Sequence, residues 1–305
     1  MINAESVKAK LKNQAPKRGH MLQEALTAYG LERTIYRISI SEYVEKFTLK
    51  GGIFLYALFE GNFTRATTDI DLLAQKTSNE VENIKKIFNE IFLIEVDDAL
   101  SYDLDSLDVH SITKVKAYHG VNVSIVAYLD KTKIPISIDI GFGDIVYPER
   151  VRMDFPVLLK MEVPKIYAYS LNSVIAEKFE AIVALGYVNS RYKDFYDIYI
   201  LASKYVFDGN ELKNAIEETF HHRQTGFNDI VAFEKGFAED AIRKSRWNSF
   251  IKKKKAMESV DFRTAVDTIR NFLQPIVEAI NENKVERSKW MPKKKQWNRK
   301  DKILE

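Results

Sequence analysis

The sequence predicts an α/β half followed by an α-helical half, and three observations carry that expectation. Between about residues 47 and 169, short β-prone runs alternate apolar and polar side chains with a period of two, most cleanly in Ile136-Ser137-Ile138-Asp139-Ile140. From Ser170 onward the apolar spacing becomes helical almost throughout. Only 7 prolines and 12 glycines are scattered over the 305 residues, with no internal repeat or low-complexity linker. At roughly 100 to 200 residues per domain, that length suggests about two domains.

In chain order, residues 5–45 read as helices, with Met21, Leu22, Ala25, Leu26 and Tyr29 at helical spacing. Phe47–Lys50 is a short strand, Gly51-Gly52 breaks it, and residues 53–59 open a helix. The run DIDLLA at 69–74 alternates like a strand. Ser78 is the expected N-cap of a helix reaching about Phe92, with Glu80 and Glu82 in its first turn. Strands are expected at 109–117, 121–129 and 134–140, with short ones near 157–161 and 166–169. Helices are expected at 171–185, 192–205, 211–222, 228–243 and 260–281, separated by Gly186, Asp208-Gly209-Asn210 and Gly226. The organisation that follows is N-terminal helices over 1–45, an α/β domain over 46–169, a helical domain over 170–283 and a basic tail over 284–305. The junction near residue 170 is expected to form a cleft, completed by the helical domain.

Composition excludes several chemistries. With 0 cysteines there is no disulfide framework, no thiolate zinc site and no cysteine nucleophile. No apolar stretch approaches the roughly 20 residues that span a bilayer, and the N-terminal MINAESVKAKLKNQ lacks the apolar core of a signal peptide. A cytoplasmic protein that does not meet the membrane is expected. His20, His110, His119, His221 and His222 show no metal-ligand spacing, and no GxSxG, Walker A, GxGxxG, HRD or DFG motif occurs.

The net charge of +3 is a cancellation. Residues 243–255 (RKSRWNSFIKKKK) and 284–302 (KVERSKWMPKKKQWNRKDK) each carry +7, and Glu305 carries one negative charge, which leaves −10 on the rest. The first segment interleaves Trp247 and Phe250 with cations, and the second adds Trp290 and Trp297. Cations for phosphate with aromatics for base stacking is the composition of an RNA-binding surface, so Arg243, Lys244, Arg246, Trp247, Lys252, Lys253, Lys254 and Lys255 are candidate RNA contacts. A lysine run is equally the composition of a plain solvated face.

The informative stretch is FTLKGGIFLYALFEGNFTRATTDIDLLAQ. Glycines at a strand-to-helix turn either make a tight turn or expose backbone N–H groups to a phosphate. On a strand, residues i and i+2 share a face, so Asp69 and Asp71 project together while Ile70 and Leu72 face the apolar side. Two solvated aspartates would satisfy that pattern. So would a hard divalent cation such as Mg²⁺, which relieves the repulsion between them. Asp139 lies on the polar face of its own alternating strand. Paired beside the first, that strand would bring three carboxylates together, as two-metal phosphoryl transfer requires.

The order Gly51-Gly52, Asp69-x-Asp71 and a distant Asp139 resembles the nucleotidyltransferase superfamily that includes DNA polymerase beta. More narrowly, KGG and TRATTDIDL, then IDIGFGD, AEKFEAIVALG and SRYKDFYDIY, are similar to the AbiEii/AbiGii family of abortive-infection toxins over roughly residues 47–204. The resemblance implies a polymerase-beta-like mixed sheet with helices. It also implies a type IV toxin that transfers a nucleotide from an NTP, encoded beside an antitoxin, with some members acting on the 3′ end of tRNA to block translation. On that resemblance Gly51 and Gly52 hold the triphosphate, Asp69 and Asp71 the metals, and Asp139 activates the acceptor hydroxyl or completes the metal set. Lys178 and Asp194 occupy the places of a required helix lysine and a later aspartate. Lys50, Arg65 and Thr68 flank the motifs as further nucleotide contacts. By itself Lys178 reads as a lysine whose stem lies along Val174, Ala181 and Leu185, and Asp194 as a helix-terminal carboxylate. Two other functions fit the same residues: modification of a protein or small-molecule hydroxyl, and non-catalytic RNA binding on a degenerate fold.

Overall fold

A computed structural model describes residues 2–61, 67–113, 119–253 and 258–299. They divide into two compact units: the residues up to Asp144 together with Arg150–Tyr169, and Ile145–Glu149 together with the residues from Ser170 onward.

The first unit runs α1 (Ala4–Gln14), α2 (Leu22–Ile40), β1 (Phe47–Lys50), α3 (Gly51–Leu58), β2 (Ile70–Ala74), α4 (Val81–Phe92), β3 (Leu100–Thr113), β4 (His119–Leu129), β5 (Thr132–Phe142), β6 (Val151–Asp154) and β7 (Lys165–Ala168). These strands form one mixed sheet in the order β3-β4-β5-β2-β1-β7-β6. The β3-β4-β5 meander is antiparallel, β5 runs parallel to β2, β2 antiparallel to β1, and β1 parallel to β7. Period-two alternation sorts the two faces of β5: Ile134, Ile136, Ile138 and Ile140 are buried, whereas Ser137 and Asp139 on the other face stay partly open. Helix α2 lies directly on the apolar face. A Cβ at Gly30 would fall 2.7 Å from Ile134 Cγ2, so only glycine permits that approach. Helix α4 buries the stripe Ile84, Ile87, Phe88 and Ile91, set by 3.6-residue periodicity.

Strand β3 begins nine residues before the expected 109. Residues 100–108, to which the sequence assigns no element, pair with β4 across a bulge between Asp103 and Asp108. Ser106 Oγ closes that bulge, donating to the Asp103 carbonyl at 2.6 Å and accepting the Val126 N–H at 2.9 Å. The expected end at 117 lies outside the described residues. No strand forms at 157–161; β6 lies earlier. The Leu158 N–H is taken instead by the buried Glu32 carboxylate at 2.6 Å, and the Phe155 N–H by Pro164 O at 2.9 Å. The N-cap of α4 is Glu80 rather than Ser78, whose hydroxyl accepts the Glu80 N–H.

The second unit contains α5 (Leu171–Leu185), α6 (Tyr192–Lys204), β8 (Phe207–Asp208), α7 (Gly209–His222), α8 (Ala241–Lys253), α9 (Phe262–Asn281), β9 (Ser288–Met291) and β10 (Gln296–Arg299). The expected helix over 228–243 is replaced by two short 3-10 turns, because Asp229 and Gly236 take left-handed backbone at φ 55° and 100°. Helix α8 then starts afresh, with Asp240 Oδ1 accepting the Arg243 N–H at 2.7 Å. Residues 288–299, expected within a basic tail, form a hairpin added to β8 in the order β10-β9-β8. Two indoles dock it: Trp290 Nε1 donates to Ala202 O at 2.6 Å and Trp297 Nε1 to Phe272 O at 3.0 Å. Among the described residues, no helix is long and apolar enough to cross a membrane.

Candidate active site

The parallel register of β2 and β5 sets Asp71 beside Asp139, and Asp69 sits immediately before β2. One carboxylate oxygen from each of Asp69, Asp71 and Asp139 lies within 4.8 Å of the others, and all three side chains are partly open. Each carboxylate is also held by a donor of the chain. Asp69 Oδ1 accepts from the Thr68 N–H at 3.3 Å and the Thr68 hydroxyl at 3.1 Å. Asp71 Oδ2 accepts from the Gly52 N–H at 3.2 Å, and Asp139 Oδ1 from Asn122 Nδ2 at 2.8 Å.

Gly51 has two reasons to be glycine. Its φ is +64°, and an added Cβ would fall 2.1 Å from Asp71 Oδ2. The turn between β1 and α3 is therefore shaped around the Asp71 carboxylate, to which the Gly52 N–H of α3 donates. Lys50, paired in register with Asp71, gives its ammonium to Asp144 Oδ2 at 2.6 Å and lies over the Tyr169 ring at 5.1 Å. Three carboxylates at this spacing form an all-oxygen donor set, which suits a hard divalent cation and not a soft or nitrogen-preferring one.

The family model described as nucleotidyl transferase AbiEii toxin, type IV toxin–antitoxin system, matches residues 33–268, across both units. The chain belongs to this family. It is a nucleotidyltransferase of AbiEii type, on the mixed α/β and helical fold that the sequence predicts. Among solved structures, JHP933 from Helicobacter pylori is similar at 14% identity, with 83% of this chain and 92% of that chain covered and a TM-score of 0.43. A second H. pylori protein, described as a candidate nucleotidyltransferase, is similar at 14% identity, with 84% and 95% covered and a TM-score of 0.43. No curated protein sequence matches the chain.

Within the second unit of this AbiEii-type protein, Lys178 is not a lysine with its head in water. Its ammonium bonds to Asp194 Oδ1 at 3.1 Å and Asp197 Oδ2 at 2.6 Å, and both aspartates are fully buried. Burial works to raise the Asp194 pKa, but Lys178 and Arg191, whose Nε lies 2.6 Å from Asp194 Oδ2, outweigh it and hold the carboxyl below the usual range. Asp194 is therefore one member of an ion cluster, and Asp197, Asp144 and Asn122 are partners that sequence reasoning did not single out. The KDFYD spacing places Asp194 and Asp197 three residues apart, so both fall on the face that meets Lys178.

The proposed RNA contacts on α8 need correction. Trp247 is 0% exposed: its Nε1 donates to Val260 O at 2.7 Å and its ring packs on Tyr192, Tyr196, Phe250 and Phe262. A base cannot stack on it. Arg243 is bound to the Tyr187 carbonyl at 2.8 Å and lies over Phe237, and Lys244 pairs with Glu239 at 2.8 Å. Arg246 and Lys252 are exposed. Arg65, Lys254 and Lys255 lie outside the described residues, as does the side chain of Lys253.

Proposed function

We propose that the protein transfers a nucleoside monophosphate from an NTP to the 3′-hydroxyl of tRNA in a Mg²⁺-dependent reaction. The observation that carries this reading is the convergence of Asp69, Asp71 and Asp139 beside the Gly51-Gly52 turn. Mg²⁺ held by these carboxylates would supply neutralisation of the phosphates and a lowered barrier to attack by a hydroxyl. Thr68 and Gly52 keep Asp69 and Asp71 oriented as ligands. Asp139 accepts the proton of the attacking hydroxyl as the new O3′–Pα bond forms and the bond from Pα to pyrophosphate breaks. Lys178 is assigned to nucleotide phosphate and Asp194 to holding it, on the family motif. An antitoxin is the expected protein partner, since the family is one half of a toxin–antitoxin system.

Incubating the protein with tRNA, Mg²⁺ and each labelled NTP tests the proposal. Label at the tRNA 3′ end is the expected result, and transfer to a protein or small molecule instead would reassign the acceptor. No label on any acceptor overturns the enzymatic reading. A protein that acts by RNA binding alone is less favoured, because burial of Trp247 and Trp290 withdraws two of the indoles from that surface.

A further inference from the structure

We propose that Asn122 is a positioning residue for Asp139, and that its carboxamide sets the plane of the third carboxylate of the site. The inference rests on the aspartate cluster being the reaction centre. Register alone aligns one row across four strands: Asn122 of β4 opposite Asp139 of β5, Asp139 beside Asp71 of β2, and Asp71 opposite Lys50 of β1. Within this row Asn122 Nδ2 donates to Asp139 Oδ1 at 2.8 Å and to Ser137 Oγ at 3.0 Å. One carboxamide nitrogen carries two hydrogens, and here each has an acceptor on the same face of β5. The amide plane is thereby fixed from two points.

Physical chemistry gives this contact a purpose. The last torsion of an aspartate is broad and roughly two-fold, so the strand fixes where the Asp139 carboxylate sits but not how it is turned. Three carboxylates whose oxygens approach within 4.8 Å repel one another, and that repulsion would rotate the outermost one away from the other two. A neutral donor on Oδ1 opposes the rotation. It adds no charge of its own, whereas an acid at 122 would add a fourth negative group and a lysine would compete with the cation. Asparagine is otherwise disfavoured in a strand such as β4, whose neighbours Val121, Val123 and Ile125 are all buried β-formers.

The test uses the full-length protein and Mn²⁺ as the probe, followed by electron paramagnetic resonance, with nucleotide-transfer kinetics in parallel. Asn122→Leu keeps side-chain size and removes the donors. It should weaken Mn²⁺ binding by about 10- to 100-fold, the usual effect of losing a group that orients a metal ligand. It should lower kcat by a similar factor and leave KM for the NTP within about twofold. Ser137→Ala keeps the bond to Asp139 and should leave both quantities within about threefold. If the leucine variant does not fold, Asn122→Ser, too short to reach Asp139, replaces it. Wild-type Mn²⁺ affinity and kcat in a folded Asn122 variant would overturn the proposal, as would an equal loss in Ser137→Ala. Should the wild-type protein bind Mn²⁺ yet transfer no nucleotide, the functional reading falls while the Mn²⁺ comparison still decides the role of Asn122.

Discussion

Gly51 shows how a single residue couples backbone to chemistry. Gly51→Ala would place a methyl against Asp71 and hold a left-handed φ that costs an L-residue about 1 to 2 kcal/mol. The expected outcome is a fall in melting temperature of a few degrees with a loss of transfer of about 100-fold or more, because the displaced carboxylate belongs to the proposed metal site. Unimpaired transfer by that variant would show that Asp71 does not need its seat. The three aspartates were legible in the sequence because strand periodicity is a local property: i and i+2 share a face whatever the fold around them. Trp247 was not legible. Whether an indole among lysines faces solvent or core depends on the rotation of α8 against Tyr192 and Phe262, which are 55 residues before it and 15 after it in the chain.

At the scale of elements, the segment between β6 and β7 is held to α2 by charge as much as by packing. Glu32 is buried, its Oε2 accepts the Leu158 N–H, and its Oε1 has no hydrogen-bond partner among the described residues. Burial pushes its pKa up from 4.5 to about 7, against the opposing pull of Leu158 and Arg33. A folded-state pKa above the unfolded value means that its contribution to stability is fully present below about 4.5 and is lost as pH rises through about 7. Glu32→Gln should therefore stabilise the protein at pH 8 by up to about 3 kcal/mol and have little effect at pH 4, measured by urea unfolding at both values. Asp194 has the opposite sign. Its carboxyl is held below 3.8, so the stability it contributes persists above that value and is lost as pH falls below it. Asp194→Asn should raise the pH at which acid unfolds the protein, followed by circular dichroism. The helices α5 and α6 were legible to within one residue, since their apolar stripes are periodic. The pairing of Lys178 with Asp197 was not, because it joins two helices at a separation that no local rule addresses.

Across the whole molecule, the charge asymmetry has a different meaning from the one composition suggests. The C-terminal basic segment is not simply an appendage that could be removed to test RNA binding. Trp290 is 0% exposed, and its ring lies 4.9 Å from Phe272 of α9. Trp290→Ala should cost about 3 to 5 kcal/mol, measured by denaturant unfolding, and truncation before Ser288 should destabilise the protein as well. The cleaner test of a polyanion surface is charge reversal at the exposed Lys289, Lys293 and Lys294, read as a shallower dependence of RNA affinity on salt at unchanged stability.

The sequence by itself determined the division into an α/β and a helical half, the face on which each aspartate projects, the absence of thiol chemistry and the family to which the motifs point. These follow from local periodicity and residue chemistry, which need no knowledge of distant neighbours. The tertiary structure alone decided that Asp71 and Asp139 stand side by side, that Asn122 donates to the second of them, that Lys178 bonds to two buried aspartates and that Trp247 and Trp290 of the basic segments are core. Each of these depends on register or packing between residues far apart in the chain, where the free energy of burial and hydrogen bonding, rather than local propensity, selects the arrangement.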